Sequence, residues 1–305
     1  CFLGIPFITA YNIISSIFRG IGDSKSPMFF IAIACAFNIA LDYLFIGVLK
    51  LGPAGAALGT TLSQTISVLI SLTIICRKRM IPEFHFADLK PVRSMMGGLL
   101  KIGFPIAMQD GFIQIAFIVI TIIANRRGLN DAAAVGIVEK MISLFFLVPS
   151  SMLSTVSALC AQNIGAGKKK RAEQTMWCAV MIAVGFGLIA AVTMQFISVP
   201  VVSLFTTDSE VARLGGQYIR GYIWDCIFAG IHFTFSGYFC ACGRSEFSFL
   251  HNIIAIVLVR IPGVYLTSLW FPDTLFPMGI ATACGSLTSV VICLFVFRYL
   301  KRKAS

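Results

Sequence analysis

Four carboxylates stand inside otherwise apolar stretches of this sequence: Asp42, Asp110, Glu139 and Asp225. A charge in hydrocarbon surroundings costs several kcal/mol unless it is paired, hydrated or neutralised. An acid so placed can hold a proton or trade it for a cation, and that exchange is the physical core of ion-coupled transport. Asp42 has the richest company. Asn38 lies four residues earlier, on the same helical face, and Thr60 and Gln64 share one face of the next apolar stretch, which Ser67 and Ser71 continue. A carboxylate, an amide oxygen and a hydroxyl suit Na+ or a proton relay better than a soft metal. The competing reading is a polar bond that glues two helices together.

The other acids have different surroundings. Asp225 shares a face with Tyr218, Tyr222, His232 and Ser236. Such a face would line a cavity for a cationic aromatic compound, or it would serve a structural pairing. Glu139 precedes Lys140, and adjacent residues do not face each other on a helix. It reads either as a second acid of the cavity or as a group near water. Asp110, four residues before Gln114, is expected at the start of its helix in a capping or solvated role. Arg260 lies in mid-stretch. It reads as the partner of Asp225 or Glu139 in a buried ion pair, or as a gate or anion anchor. The candidate cation-coupling set is thus Asn38, Asp42 and Thr60, and the candidate cavity set is Gln64, Glu139, Tyr222, Asp225 and His232.

The elements that must position these groups follow from composition. The 305 residues are 58% hydrophobic and 12% charged, with a mean hydropathy of +0.90. Soluble domains carry about 25% charged residues, so the chain reads as an all-α integral membrane protein. Nine apolar segments are long enough to span a bilayer, at about 1–18, 28–49, 54–75, 97–124, 132–161, 174–205, 215–241, 247–269 and 277–297. The fifth and sixth are long enough to bend or overrun it.

The net charge of +11 does not point to nucleic acid, because the basic residues cluster between the apolar segments. Alternate connections, from 19–27 to the C-terminal tail, hold 17 Lys and Arg, and the others hold 4. The first set is therefore expected in the cytoplasm, with the C-terminus inside and residue 1 outside. The ten Cys and three His show no metal-ligand spacing. "GAGKKKRA" lacks the spacing of a phosphate-binding loop. No cofactor is expected, and neither is an enzyme.

The sequence also repeats itself. "GDSKSPMFFIAIA" (22–34) matches "GRSEFSFLHNIIA" (243–255), and "GPAGAALGT" (52–60) matches "FPMGIATAC" (276–284). The first three spans thus read as a copy of the last three. Spans four to six would then need a partner copy before residue 1, where the chain begins without Met inside an apolar run. The expectation is a piece of a twelve-span, two-lobe parent: 1–75 as the last three helices of the N-lobe, 76–96 as a basic linker, and 97–305 as a six-helix C-lobe with its tail. Phe84, Phe86 and Leu89 of the linker could lie on a membrane surface.

"RGIGDSKSP", "NIALD" followed by "GPAGAALGT", and "AQNIGAGKKKRA" at 161–172 resemble the multidrug and toxic compound extrusion (MATE) family, with "NIALD" leaning toward its DinF-like branch. The resemblance runs through the whole chain. It implies a monomeric antiporter in the plasma (inner) membrane that expels lipophilic, often cationic compounds, driven by inward H+ or Na+. It also implies a cation site at Asn38, Asp42 and Thr60. The C-lobe acids resemble the NorM-like branch instead, so the driving ion stays open. The alternative is a flippase for lipid-linked sugar or polymer precursors of a related fold. Such a cavity should be strongly basic, whereas here the intramembrane acids outnumber the deep Arg260.

Overall fold

The structure is a computed structural model that describes residues 4–78 and 90–304. The expected surface-lying role of Phe84, Phe86 and Leu89 falls outside the described residues. Among those residues the secondary structure is helical throughout. The chain divides into two compact units, 1–92 and 93–305.

The first unit holds α1 (Ile5–Ile21), α2 (Lys25–Asp42) with a π-helical continuation (Tyr43–Val48), and α3 (Gly52–Lys78). Pro6 starts α1, where its missing N–H costs nothing, and Gly22 ends it in the left-handed region at φ 94°. Tyr11, Ile14, Phe18, Phe30 and Val68 form its small core. Two polar bonds tie the helices. Tyr11 Oη donates to the Pro27 carbonyl at 3.1 Å, and Ser67 Oγ to the Phe30 carbonyl at 3.2 Å.

The second unit holds α4 (Arg93–Arg127), α5 (Leu129–Phe145), α6 (Leu147–Gly165), α7 (Lys169–Val202), α8 (Ser209–Tyr222), α9 (Asp225–Ala241), α10 (Ser245–Ala255), a π turn (Ile256–Arg260), α11 (Ile261–Trp270) and α12 (Phe276–Ala304). The expected long fifth span is the bent pair α5–α6. Pro149 has no N–H for the Phe145 carbonyl and crowds it, so the helix breaks at Phe146. Pro262 acts likewise at the start of α11. The π turn that absorbs the disruption ends on Arg260. α4 begins at Arg93, which places Asp110 in its middle and corrects the expectation that this acid starts a helix.

Seven described segments are long and apolar enough to cross a membrane. α1 is shorter, at 17 residues. The stretch expected to span 215–241 is divided between α8 and α9 at Ile223 and Trp224. α8 carries Glu210, Arg213, Gln217 and Arg220.

The repeat seen in the sequence has counterparts in hydrogen bonds. Gly22 and Gly243 both take left-handed φ, 94° and 68°. Each turn is closed the same way: Gly22 N to Arg19 O and Asp23 N to Phe18 O, then Gly243 N to Cys240 O and Arg244 N to Phe239 O. The Ser67–Phe30 bond recurs as Ser289 Oγ to the His251 carbonyl, again at 3.2 Å. Within the second unit, Gly221 of α8 and Gly279 of α12 bring the two backbones into direct contact, and a Cβ on either would collide with the other helix.

One cation organises the loop between α11 and α12. Arg127 pairs with Asp131 and donates to the carbonyls of Ser268 (2.9 Å), Phe271 (3.0 Å), Pro272 (2.7 Å) and Thr274 (3.3 Å). Gln217 Oε1 receives Thr274 Oγ1 from the same loop at 3.1 Å.

Candidate ion-coupling and cavity sites

In the first unit, Asn38 and Asp42 lie one turn apart on α2, just before the π continuation. Both are partly buried. Asn38 Nδ2 and Asp42 Oδ1 are enclosed and have no hydrogen-bond partner among the described residues. The Asp42 carboxylate faces Gly59 of α3, and a Cβ there would collide with Oδ1. Gly55, one turn earlier, takes the Phe45 backbone in the same way. These glycines, four residues apart, form a small-residue face that lets the end of α2 approach α3 closely. That spacing is visible in "GPAGAALGT" and is the signal that points to the contact.

Thr60 follows Gly59 on α3. It is exposed, and its hydroxyl donates to the Ala56 carbonyl at 3.0 Å, within its own helix. Gln64 is half-buried one turn further on. The lower part of the same face is structural. Ser67 bonds α2 and Ser71 bonds its own helix.

The second unit has a packed polar interior, and of the two readings of the Asp225 face, cavity wall or structural pairing, the pairing is the one the geometry displays. Tyr222 and Asp225 are fully buried, and His232 is 4% exposed. Arg260 Nη2 stands 3.2 Å from Asp225 Oδ2 and donates to Tyr222 Oη at 2.8 Å. The guanidinium also lies 5.7 Å from the ring centres of Phe117 and Tyr222. Gly285 makes room for its stem, since a Cβ there would come within 2.8 Å of Arg260 Cβ. A buried charge without a partner is strongly unfavourable, so this arrangement occupies both groups of the pair.

Glu139 is placed differently. Thr121 Oγ1 donates to its Oε2 at 3.3 Å, and Oε1 is enclosed without a partner among the described residues. The positive charges of Arg260 and Lys140 both act on it. The interior thus sets one guanidinium against two carboxylates, Asp225 and Glu139.

His232 extends this interior past Ser236 toward His251, Ser248, Asn252 and Gln109, which sequence reasoning did not place in a site. Its ring meets that of His251 at 5.5 Å between centroids, and Ser236 Oγ lies 2.9 Å from His251 Nε2. Ser248 Oγ donates to Gln109 Oε1 at 2.6 Å, and Asn252 is buried nearby on α10. The available signal was the spacing of Ser248 and Asn252, one turn apart on α10. Among the described residues no group of three or more His, Cys, Asp or Glu could hold a metal ion.

Comparison with known proteins adds the family. A family model described as MatE matches residues 105–266. The "Probable multidrug resistance protein YpnP" of Bacillus subtilis (strain 168) is 30% identical over 303 residues, which cover 99% of this chain and 67% of that protein. The "FAD transporter" of Shewanella oneidensis is 27% identical over 298 residues, 92% of this chain and 65% of its own. The chain thus spans about two thirds of the length of these curated relatives. Among solved structures, a MOP superfamily transporter from Pyrococcus furiosus superposes with a TM-score of 0.92 at 20% identity, covering 99% of this chain and 68% of that one. A MATE in complex with MaL6 gives 0.90 at 21% identity, covering 98% and 68%.

Proposed function

The chain belongs to the MatE family, a family of multi-pass membrane transporters, and from that premise we propose that it works in an ion-coupled exporter of lipophilic, often cationic compounds. The observation that carries this reading is that the buried acids differ in countercharge: Asp42, Glu139 and Asp225 each have one oxygen without a hydrogen-bond partner among the described residues, but the other oxygen of Asp225 meets Arg260. Asp225 is neutralised by Arg260. Asp42 is enclosed against Gly59 with an oxygen that no described group satisfies. An acid left in that condition is suited to take H+ or Na+ from outside and to release it inside. Asn38 supplies a second polar group beside it.

The mechanism follows from differential stability. With a bound cation, the carboxylate is neutral and α2 packs tightly on the glycine face of α3. With the cation gone, the charge favours a hydrated arrangement. Two packings coupled to one ion are the minimum for alternating access. Glu139, with its free oxygen, is the acid of the second unit best placed to meet a cationic cargo. A relative's name assigns multidrug resistance to that relative, which supports drug-like cargo here. The flippase alternative needs basic groups free to hold a pyrophosphate, and Arg260 is already engaged by Asp225 and Tyr222.

The test is efflux of a lipophilic cationic dye from cells making the full-length protein, wild type against Asp42→Asn, under imposed H+ or Na+ gradients. Loss of driven efflux at unchanged membrane expression supports Asp42 as the coupling acid, and the gradient that drives the wild type names the ion. Normal pumping by the variant would assign Asp42 to packing and move coupling to Glu139.

A further inference from the structure

One end of the second unit collects positive charge from two distant parts of the sequence. Lys168, Lys169, Lys170 and Arg171 follow one another at the start of α7, whose first turn holds no acid. Arg298, Lys301 and Arg302 lie at the end of α12. All are exposed. The two helices are tied there by Lys301 Nζ and Glu173 Oε2 at 2.8 Å. Cations at the positive end of a helix repel both the dipole and one another, so this end is electrostatically complementary to an anion.

The same two helices continue the site toward the membrane interior. Lys169, Glu173 and Trp177 recur at four-residue spacing on α7, and Phe297 and Lys301 do so on α12. Trp177 is 42% exposed and packs edge-on against Phe297, ring centres 6.1 Å apart, while Lys301 Nζ lies 5.9 Å from the Phe297 ring. Eight residues separate Lys169 from Trp177, about 12 Å along a helix. Basic groups at one level and an exposed Trp one headgroup deeper are the arrangement that fits an amphiphile standing in a bilayer. A soluble anion would use the basic rim and leave the exposed Trp177 unexplained.

The geometry points to a binding site for one anionic phospholipid, with its phosphate among Lys169, Lys170 and Lys301, the last shared with Glu173, and an acyl chain along the exposed face of Trp177, which the buried Phe297 ring backs. This site is separate from the acids of the transport reading and stands whether or not that reading holds.

The experiment uses the full-length protein in nanodiscs containing brominated phosphatidylglycerol or brominated phosphatidylcholine at equal mole fraction. The Trp177 signal is isolated by subtracting the Trp177→Phe protein. The anionic lipid is expected to quench it at a several-fold lower mole fraction than the zwitterionic one. Replacing Lys169, Lys170 and Lys301 by Gln should lower that preference by about fivefold per residue, and high salt should weaken it. Equal quenching by the two lipids in the unaltered protein overturns the site and needs no variant to fold. A preference that survives the triple substitution overturns it as well. Loss of the preference on adding millimolar inorganic phosphate would assign the rim to a free anion instead of a lipid.

Discussion

Arg260 and Asp225 are 35 residues apart in sequence and 3.2 Å apart in space, with side chains 8% and 0% exposed. The pair gives Asp225 a countercharge inside the second unit. It also makes a stability prediction. Arg260→Met leaves a buried carboxylate without its partner and should cost about 3–5 kcal/mol. Combining it with Asp225→Leu should recover most of that loss, because no buried charge then remains. Chemical unfolding in detergent micelles checks both. A double variant as unstable as the single one would mean that the pair's hydrogen bonds, Tyr222 included, matter more than its charges.

Gly59 and Thr60 are neighbours with opposite consequences. A Cβ on Gly59 would collide with Asp42 Oδ1, so Gly59→Ala should displace the carboxylate and depress ion-driven efflux about tenfold or more at normal expression. The Thr60 hydroxyl is bonded within its own helix, so Thr60→Ala should change efflux by less than about twofold. Transport assays of the two variants in parallel decide it. The reverse order would show that the Thr60 hydroxyl turns to the ion during the cycle.

Ser67 and Ser289 make the same bond in the two repeats, each to a carbonyl on the neighbouring helix at 3.2 Å. Interhelical hydrogen bonds in membranes are worth about 0.6 kcal/mol on average and up to about 1.7. Ser67→Ala and Ser289→Ala should each cost an amount in that range. Thermal unfolding of both variants measures it, and a neutral result at either position would mean that the bond there is replaced locally.

Arg127 holds four carbonyls of the segment from Ser268 to Thr274 while paired with Asp131. Hydrogen bonds to a charged group are worth about 1.5–3 kcal/mol each. Arg127→Gln should therefore speed amide exchange in residues 271–275 on the order of tenfold or more, with little change in α7. Unchanged exchange would show that Gln217 alone secures the loop.

Much of this protein could be read from its residues in order. Composition and spacing identify a helical membrane chain, because hydrocarbon leaves each backbone group to be satisfied within its own helix. The repeat was legible in Gly22 and Gly243, since a sharp left-handed turn needs glycine at both places. "NIALD" and "GPAGAALGT" pointed to the family, and the intramembrane acids stood out from their apolar neighbours. What the order of residues left open was which acid meets a cation. Helical periodicity says that Asp225 and Arg260 each have a polar face. It does not say that the faces meet, because meeting depends on the rotation and register of packed helices. Those are decided by close contacts such as Gly221 on Gly279 and by the π turn that Pro262 provokes beside Arg260. Tertiary packing alone therefore gave Asp225 a cation, set the Thr60 hydroxyl on its own helix, and left Asp42 and Glu139 outside any ion pair among the described residues.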